Sequence, residues 1–522
     1  MPDPVLAALQ ELAGRRAVAR LHAREPWLWS DDAGHQAVIA DRLGWLDVAA
    51  DDGSRAGELR AISERALQDG LDRVVLAGMG GSSLAPEVFA RVFGAQPDGA
   101  MLSVLDSTHP VAVTAALDDA PLERTLVVVS SKSGGTEETA AFAARAASLV
   151  PSPAHLFAVT DAGSTLAAQA EDGGWRGRLL NPGDIGGRYS ALSYFGMLPA
   201  ALLGIDTAVL WHRSGHMLER CRSSEAGNPG AELAAFMGGL ARRGRDKLTL
   251  LADPDLEPLG DWIEQLVAES TGKQGLGIVP VVGEPIGPPE IYGADRAFVE
   301  IRLDGQPVAG AAAIAAAGHP LLVVDLADRF DLAAEFVRWE VATALAGVLL
   351  GVNPFDEPNV AESKSNTRAV LDDVVAGGAL ADPEDGDLSQ LLAGVGPGDY
   401  VSLQAYLPPS GEALEVFSRI RALIRERTGA ATTFGWGPRF LHSTGQLHKG
   451  GPSSLVALQV VDSPSGGPDI PGRPYDFATL VRAQAVGDLR SLRQHGLRAA
   501  QMSAADPFDL EPVAQQIATA LS

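Results

Sequence analysis

The sequence predicts an α/β protein built from two doubly wound parallel sheets, with a small α/β module at its C-terminal end. From Arg73 onward, short apolar runs alternate with helical stretches; the runs are RVVLAG, MLSVLD, TLVVVSS and HLFAVTD. A second round of the same alternation follows, with KLTLLAD, GIVPVVGE, RAFVEIRLD and LLVVDLAD. This alternation is typical of right-handed βαβ units, whose parallel sheet is covered by helices on both faces.

The same pattern divides the chain into five segments. At 522 residues the chain is too long for one hydrophobic core, which favours roughly two to four domains. We predict, in order, an N-terminal helical region (1–70), a first parallel-sheet domain (71–215), a second one (216–375), an acidic, glycine-rich linker (376–398) and the C-terminal module (399–522). The module is inferred from two strand-like runs, DYVSLQAYL and SLVALQVVD, with the helical stretch ALEVFSRIRALIRERTG between them.

Composition and charge argue against several classes of function. The chain carries 66 acidic and 41 basic side chains, a net charge of −25, which argues against nucleic acid as a partner. The N-terminal residues lack a basic cap followed by an apolar run, and the apolar stretches 310–317 and 342–352 are interrupted or bounded too early to cross a bilayer. The single cysteine, Cys221, fits a reducing compartment. We therefore expect a cytoplasmic protein with no membrane partner.

The first candidate binding loop is LAGMGGSSL, which contains Gly81 and Ser82 and directly follows a predicted strand. Glycines at such a strand-to-helix turn let backbone N–H groups come close to a ligand. The spacing differs from the GxGxxG fingerprint of dinucleotide-binding domains. A tight βα turn without a ligand explains this motif equally well when the motif is taken alone.

The second candidate loop, VVVSSKSGGTEET, places Ser131, Lys132, Ser133 and Thr136 between a strand and a helix that begins near Glu137. Hydroxyl groups beside a helix N-terminus favour a phosphate, because unpaired N–H groups and the helix dipole attract an anion. An N-cap followed by two glutamates is the structural alternative. That alternative leaves Lys132 unexplained, so a phosphate cradle is the favoured interpretation.

The third motif, NPGDIGGRYSALS, places Gly187 and Arg188 in the loop before a nearly all-apolar helical stretch around 189–203. An arginine at such a place either anchors the loop to a carbonyl or carboxylate, or directs its charge into a cleft. From the residues alone the anchor is favoured, and the second alternative stays open.

The sequence offers no pattern of metal ligands, so we expect neither a metal nor another cofactor. The ten histidines are dispersed, and neither an HxxxH pair on an acidic helix nor a CxxC motif is present. His212 and His216 are four residues apart but lack a neighbouring run of Asp or Glu. We assign this pair to a helix surface.

Taken together and in this order, the three loops resemble the glucose-6-phosphate isomerase family, with its GxGGS turn, S-K-[ST]-x-x-T phosphate loop and GGR[YF]S segment. Further along, IEQLVAESTGKQGLGIVP is similar to the family's ESxGK block, and GVNPFDEPNVAESKSN to its block with a catalytic lysine; the five motifs span residues 74–368. The resemblance implies two doubly wound sugar-isomerase domains. It also implies an aldose–ketose isomerase of glycolysis and gluconeogenesis that interconverts glucose 6-phosphate and fructose 6-phosphate through a cis-enediol.

The resemblance further implies a role for each matched residue. Glu269, in the ESxGK block, is the base that moves a proton between two carbons. Arg188 stabilises negative charge on the enediol oxygens, and Lys364 helps to open the sugar ring. Glu357 stands where animal-type members carry a glutamine near the sugar. The residues expected to hold the substrate and its phosphate are Gly81, Ser82, Ser131, Lys132, Ser133, Thr136, Gly187 and Glu357.

One departure from the family concerns the histidine that protonates the ring oxygen. Ile291 stands where that histidine is expected, and the interval 271–303 contains no histidine. The C-terminal motif LHSTGQLHKGGP, similar to the isomerase half of fused transaldolase–isomerase polypeptides, supplies His442 and His448. We expect one of them to enter the active site, and we favour His448 because Lys449 and two glycines follow it. A purely structural loop is the alternative.

Two other classes of function stay open: a non-catalytic regulator that binds a sugar phosphate, and a transaldolase-type enzyme that forms a Schiff base on a lysine. A regulator needs neither Glu269 nor Lys364, and the N-terminal region shows no basic recognition helix. A transaldolase needs a barrel of eight βα units, for which the predicted elements leave no room. Mannose 6-phosphate is an additional substrate to test. The resemblance also leaves open a homodimer whose subunits share each site.

Overall fold

Three parallel sheets organise the chain, and the computed structural model describes residues 3–51, 53–223, 227–380, 383 and 385–522. Five helices precede the first sheet: α1 (Pro4–Gly14), α2 (Ala17–His22), α3 (Ala33–Ala40), α4 (Trp45–Val48) and α5 (Ser54–Gln68). Asp3 and Asp32 cap α1 and α3, because their carboxylates accept hydrogen bonds of 2.9 Å from first-turn N–H groups.

The first sheet alternates strands and helices over about a hundred residues. Its elements are β1 (Arg73–Gly78), α6 (Leu84–Phe93), β2 (Met101–Leu105), α7 (Pro110–Val113), β3 (Thr125–Ser130), α8 (Glu137–Leu149), β4 (Leu156–Asp161), α9 (Thr165–Asp172) and β5 (Gly177–Asn181). The five strands are parallel, in the order β2-β1-β3-β4-β5. Because the order reverses between β1 and β3, the loops after these two strands open a crevice at the carboxyl edge of the sheet.

The second sheet follows three helices and has four parallel strands. The elements are α10 (Tyr194–Leu202), α11 (Thr207–Cys221), α12 (Pro229–Ala241), β6 (Lys247–Ala252), α13 (Leu259–Thr271), β7 (Val279–Val281), β8 (Arg296–Leu303), α14 (Ala311–Ala316), β9 (Leu321–Leu326), α15 (Leu332–Leu350) and α16 (Val360–Val375). The strand order is β7-β6-β8-β9. Helix α15 is buried along nearly its whole length and packs against α11, α12 and α13.

The C-terminal module contains the third sheet. Its elements are α17 (Leu388–Ala393), β10 (Tyr400–Tyr406), α18 (Gly411–Thr428), β11 (Ala431–Trp436), α19 (Gly445–Gly450), β12 (Leu455–Val461), α20 (Phe477–Gln494), β13 (Arg498–Ser503) and α21 (Glu511–Ala520). The four strands are parallel, in the order β11-β10-β12-β13. The module therefore repeats the strand order of the second sheet.

Buried polar contacts join the module to the second sheet. Oε1 of Glu284, in the loop after β7, accepts hydrogen bonds of 2.8 Å from both the backbone N–H and the hydroxyl of Thr432 on β11. Arg296 of β8 pairs with the same carboxylate at 3.0 Å. Arg421 of α18 donates to the backbone oxygen of Gly283 at 2.9 Å. These contacts fix the position of the module relative to the second sheet.

The predicted fold class is confirmed, since two doubly wound sheets are followed by a smaller α/β module. The thirteen described strands all belong to open sheets, so the described residues contain no eight-stranded barrel of the transaldolase kind. Helix α13 ends at Thr271, whose hydroxyl donates to the backbone oxygen of Val267 at 2.8 Å. The proposed domain boundaries stay predictions; α17 lies inside the stretch predicted as a linker.

Within the described ranges, no helix combines the length and the apolar character that crossing a bilayer requires.

Candidate active site

A cavity of about 180 Å³ opens in the crevice at the carboxyl ends of β1 and β3. Loops of the first sheet, the end of α13, the segment between α15 and α16, and a turn of the C-terminal module all line it. Of the site residues predicted from the sequence, all but His448 lie on its wall: Gly81, Ser82, Ser131, Lys132, Ser133, Thr136, Gly187, Arg188, Glu269, Glu357, Lys364 and His442. The cavity thus brings together residues that are up to 361 positions apart (81 to 442).

Close backbone packing explains two glycines of the loop after β1. Gly80 has a φ of +54°, and a side chain there would begin 2.7 Å from the backbone oxygen of His442. A side chain at Gly81 would begin 2.0 Å from the backbone oxygen of Gly187. Glycine is therefore required where this loop packs against the loop that carries Gly187 and Arg188 and against the C-terminal module.

The loop after β3 carries the hydroxyl groups of the cavity wall. Ser131 and Ser133 each accept a backbone N–H from a glycine of the same loop at 3.2 Å, which fixes the shape of the loop. Thr136 occupies the N-cap position of α8, but its side chain makes no capping hydrogen bond. Helix capping therefore does not account for the threonine hydroxyl at the edge of the cavity.

Lys132 is held in the cavity wall by two contacts. Its Nζ lies 2.5 Å from Oδ2 of Asp161 and 2.7 Å from the backbone oxygen of Gly183. Because Asp161 ends β4, the lysine links two neighbouring strand ends of the first sheet. The side chain stays partly exposed at the cavity, where its charge favours an anionic ligand.

Arg188 is both a structural anchor and a charge that faces the cavity. Its Nε donates to the hydroxyl of Ser270 at 2.8 Å, and its Nη2 donates to the backbone oxygen of Pro354 at 2.8 Å. Its Nη1 lies 3.3 Å from Oε1 of Glu269 and 3.1 Å from Oε2 of Glu357. Two of its nitrogens therefore fix the guanidinium, while the third meets the carboxylates of the cavity.

Glu269 lies in the last turn of α13 with its side chain 12% exposed. Burial raises the pKa of this carboxyl above its ordinary value, although Arg188 acts in the opposite direction. The negative charge of Glu357 adds to the rise in pKa. Gln265, one helical turn earlier, donates to Oε2 of Glu269 at 3.2 Å. A carboxylate held in this way is a better proton acceptor than a solvated one.

His442 enters the cavity from the C-terminal module and pairs with Glu138. The ring Nε2 lies 3.0 Å from Oε1 of Glu138, in the first turn of α8, and Gln484 donates to the same oxygen at 2.7 Å. Burial raises the pKa of Glu138, but the contact with His442, a backbone hydrogen bond and the charge of Lys364 together outweigh that effect, and the net pKa lies below the ordinary value. Glu138 therefore stays ionised and holds the imidazole through Nε2.

His448, favoured over His442 from the sequence, does not reach this cavity. It is buried in α19, with its ring 3.5 Å from the hydroxyl of Ser402 and 3.4 Å from Nε2 of Gln404 on β10. Burial lowers the pKa of His448 to about 3, so the ring is neutral at physiological pH. The preference for His448 is corrected, because α19 directs this ring toward the third sheet rather than toward the first.

Glu357 and Lys364 reach the cavity from the segment that follows α15. The side chain of Glu357 is 43% exposed beside Arg188, and Lys364 is an exposed residue of α16. Ile291, which stands where the family carries its histidine, packs in an apolar cluster of the second sheet, outside the cavity wall. The sequence patterns indicated no ligand-binding or catalytic role for Gln265 and Glu138. Both residues contact His442, which is distant from them in the sequence.

Among the described residues, no three or more His, Cys, Asp or Glu side chains are grouped so as to hold a metal ion. His212 and His216 are exposed on α11.

Comparison with known proteins assigns a family to part of the chain. Residues 52–276 match the family model described as phosphoglucose isomerase. A glucose-6-phosphate isomerase of Rubrobacter xylanophilus is 31% identical over 373 residues, which is 59% of this chain and 84% of that protein. A glucose-6-phosphate isomerase of Parasynechococcus marenigrum is 28% identical over 426 residues, covering 71% of this chain and 76% of that protein.

Solved structures share the fold. A hypothetical protein from Thermus thermophilus superposes with a TM-score of 0.60 at 24% identity, over 70% of this chain and 96% of its own. A glucose-6-phosphate isomerase from Chlamydia trachomatis superposes with a TM-score of 0.55 at 17% identity, over 71% of this chain and 86% of its own.

Proposed function

The chain belongs to the phosphoglucose isomerase family, and from this premise we propose that it interconverts D-glucose 6-phosphate and D-fructose 6-phosphate in the cavity described above. This isomerisation is a step of glycolysis and gluconeogenesis. The observation that carries the proposal is the pairing of Arg188 with Glu269 at 3.3 Å in the same small cavity as the hydroxyl loop 131–136. A phosphate bound at that loop leaves the sugar carbons next to the pair.

Glu269 serves as the base of the isomerisation. It takes the proton from C2 of the open-chain aldose, the electrons of that C–H bond form the C1=C2 double bond, and the electrons of the C1 carbonyl move onto its oxygen, which takes up the proton that the C2 hydroxyl gives up. Glu269 then returns its proton to C1 as the C=C electrons form the new C–H bond, and the electrons on the C2 oxygen form the C2 carbonyl. A pKa raised by burial suits both steps, because the carboxylate must accept the proton and the carboxylic acid must release it.

Arg188 stabilises the charge that develops on the substrate oxygens. Its Nη1 is the nitrogen that faces the cavity carboxylates, while Nε and Nη2 are held by Ser270 and Pro354. A fixed cation needs no reorganisation when negative charge moves onto the enediol oxygens, which is the condition for effective electrostatic catalysis.

His442 is the group we assign to ring opening. Glu138 engages Nε2, and Nδ1 has no hydrogen-bond partner among the described residues, so Nδ1 is the nitrogen available to exchange a proton with the sugar. Opening requires a proton on the ring oxygen and removal of one from the C1 hydroxyl. We assign the two transfers to His442 and Lys364. The histidine comes from the same chain as Glu269, so one chain supplies every assigned group.

The proposed activity is tested by giving the purified protein glucose 6-phosphate, fructose 6-phosphate or mannose 6-phosphate separately and following the products by a coupled assay. We expect glucose 6-phosphate and fructose 6-phosphate to reach one equilibrium mixture from either side, with kcat in the ordinary range of about 1–10³ s⁻¹. Binding of these sugar phosphates without any conversion would contradict the proposal and support the alternative function, a non-catalytic regulator that binds a sugar phosphate.

The hydroxyl loop gives a second prediction. Ser131→Ala and Thr136→Ala should each raise KM by about tenfold while lowering kcat less, because each removes a hydrogen bond to a charged phosphate far from the reacting carbons. Ser148→Ala, at the opposite end of α8 and exposed, is the matched control and should leave KM unchanged. Steady-state kinetics with inorganic phosphate as competitor measures the effect; failure of phosphate to compete would show that the cradle lies elsewhere.

A further inference from the structure

Arg439 links the turn that carries His442 to the two larger sheets. It lies three residues before His442 in one 3₁₀ turn, Arg439–His442. Its side chain is 15% exposed and contacts carboxylates of three other elements. The guanidinium pairs with Glu87 of α6, lies 3.1 Å from Asp106 just after β2, and lies 3.6 Å from Asp261 of α13. Its three partners all lie outside the C-terminal module.

Of the three carboxylates, Asp106 depends most on Arg439. Arg91 lies 3.0 Å from Asp261 and 3.8 Å from Glu87, so these two acids have a second cation. Asp106 pairs with Arg439 alone among the described residues. Burial raises the pKa of Asp106 to about 6, with Arg439 as the main opposing influence. Loss of Arg439 therefore leaves the buried carboxylate of Asp106 without an ion-pair partner next to the turn 439–442.

Two of the elements that Arg439 contacts, α6 and α13, adjoin or line the active-site cavity. Helix α6 follows the glycine loop after β1, and α13 carries Gln265 and Glu269. Gln265 also donates to the backbone oxygen of His442 at 2.7 Å. Phe440, the next residue of the turn, packs instead on Tyr406 of its own module at 5.6 Å between ring centroids. Arg439 thus crosses from the turn to the first two sheets, as His442 does through Glu138.

We propose that Arg439 is a positioning residue for ring opening: its contacts with Glu87, Asp106 and Asp261 hold the turn so that His442 meets Glu138 and the sugar. The inference rests on the proposed function, because it assumes that His442 opens the ring. A planar guanidinium reaches several carboxylates at once, which a lysine ammonium cannot do with the same geometry. Small displacements of a reacting group have large effects on rate.

A neighbouring cavity makes the inference testable by chemical rescue. The cavity has a volume of about 1130 Å³ and is lined by Arg439 together with Glu87, Asp106 and Asp261. A free guanidinium ion is small enough to enter it. In an Arg439→Ala variant, such an ion can occupy the place of the deleted side chain between the same carboxylates.

The experiment compares Arg439→Ala with Arg91→Ala, which removes the other cation of the same acidic group without touching the turn. Three rates are measured: isomerisation of glucose 6-phosphate, exchange between its two anomers by NMR, and isomerisation of erythrose 4-phosphate. The last substrate cannot close a ring through its phosphorylated C4 oxygen.

We expect Arg439→Ala to slow the first two rates by roughly 10- to 100-fold and the third by about threefold at most. Guanidinium chloride at non-denaturing concentration should restore the lost rates, and Arg91→Ala should stay near wild type.

Arg439→Lys is a second variant for the case that Arg439→Ala does not fold, since lysine keeps the positive charge beside the carboxylates. It should fold and show a loss of anomer exchange between those of the wild type and Arg439→Ala. Anomer exchange at the wild-type rate in both Arg439 variants would overturn the inference. An equal loss of all three rates without rescue by guanidinium would also overturn it. If the wild-type protein isomerises no sugar phosphate, the proposed function fails and this inference fails with it.

Discussion

Glu269→Gln is expected to lower kcat for isomerisation by about 10²-fold or more while leaving KM nearly unchanged. The substitution preserves the size of the side chain and the contact with Gln265, but it removes the group that accepts the proton from C2. Binding survives because the phosphate loop lies on a different part of the cavity wall. Steady-state kinetics with both sugar phosphates measures the two parameters.

The matched control for this variant is Glu264→Gln on the same helix. Glu264 lines the larger neighbouring cavity, and burial raises its pKa to about 8, so its carboxyl is already largely neutral at pH 7. Glutamine mimics that neutral form, and the control should keep wild-type turnover. A Glu269→Gln variant that turns over as fast as this control would contradict the assignment of the base.

The raised pKa of Glu269 also fixes the direction of the pH dependence. The base must be deprotonated in the free enzyme, so kcat/KM should fall as the pH drops through the raised pKa, which lies above the ordinary 4.5. Because the charge of Glu357 contributes to the rise, Glu357→Gln should move this acid limb to lower pH. An acid limb that shifts to higher pH in that variant would contradict the electrostatic account of Glu269.

His442→Ala is expected to slow isomerisation of cyclic glucose 6-phosphate by about 10²-fold, since general acid–base catalysis of ring opening is lost. Isomerisation of open-chain erythrose 4-phosphate should change little, because that substrate needs no ring opening. Exchange between the anomers of glucose 6-phosphate reports ring opening alone. It should persist in Glu269→Gln and fall by about 10²-fold when His442→Ala is added to that variant.

His448→Ala distinguishes the two histidines of the C-terminal motif. This ring is 3% exposed and lies against β10, so its removal leaves a void and should lower the melting temperature. It should not selectively slow anomer exchange, because the ring lies outside the cavity. Selective loss of anomer exchange in His448→Ala, with His442→Ala normal, would reverse the assignment.

The local parts of the site could be predicted from the sequence. The loop 131–136 combines a strand, glycines, hydroxyls and a helix start within a few residues, so chain order alone places its hydroxyl groups at a helix N-terminus. Arg188 and Glu269 were identified through motifs matched to the family, and Arg188 lies directly before the predicted helical stretch around 189–203. Short-range geometry was sufficient for the loop 131–136, whereas the roles of Arg188 and Glu269 rest on the resemblance to the family.

The long-range parts could not be predicted. His442 and Glu138 are 304 positions apart, and they meet only because the C-terminal module docks on the other two sheets. His442 and His448 share one motif, so the sequence gives no reason to prefer the one that faces the first sheet. Arg439 likewise has its partners 178 to 352 positions away. The family model ends at residue 276, before the module begins.

The central claim is that Glu269 carries a proton between C2 and C1 in this cavity, and isomerisation in D₂O tests it most directly. Proton NMR of the products formed from glucose 6-phosphate should show deuterium at C1 of fructose 6-phosphate with the wild-type protein. Glu269→Gln should incorporate none above background, although it still exchanges the anomers. Incorporation by Glu269→Gln at the wild-type rate would contradict the account, because another group would then move the proton between C2 and C1.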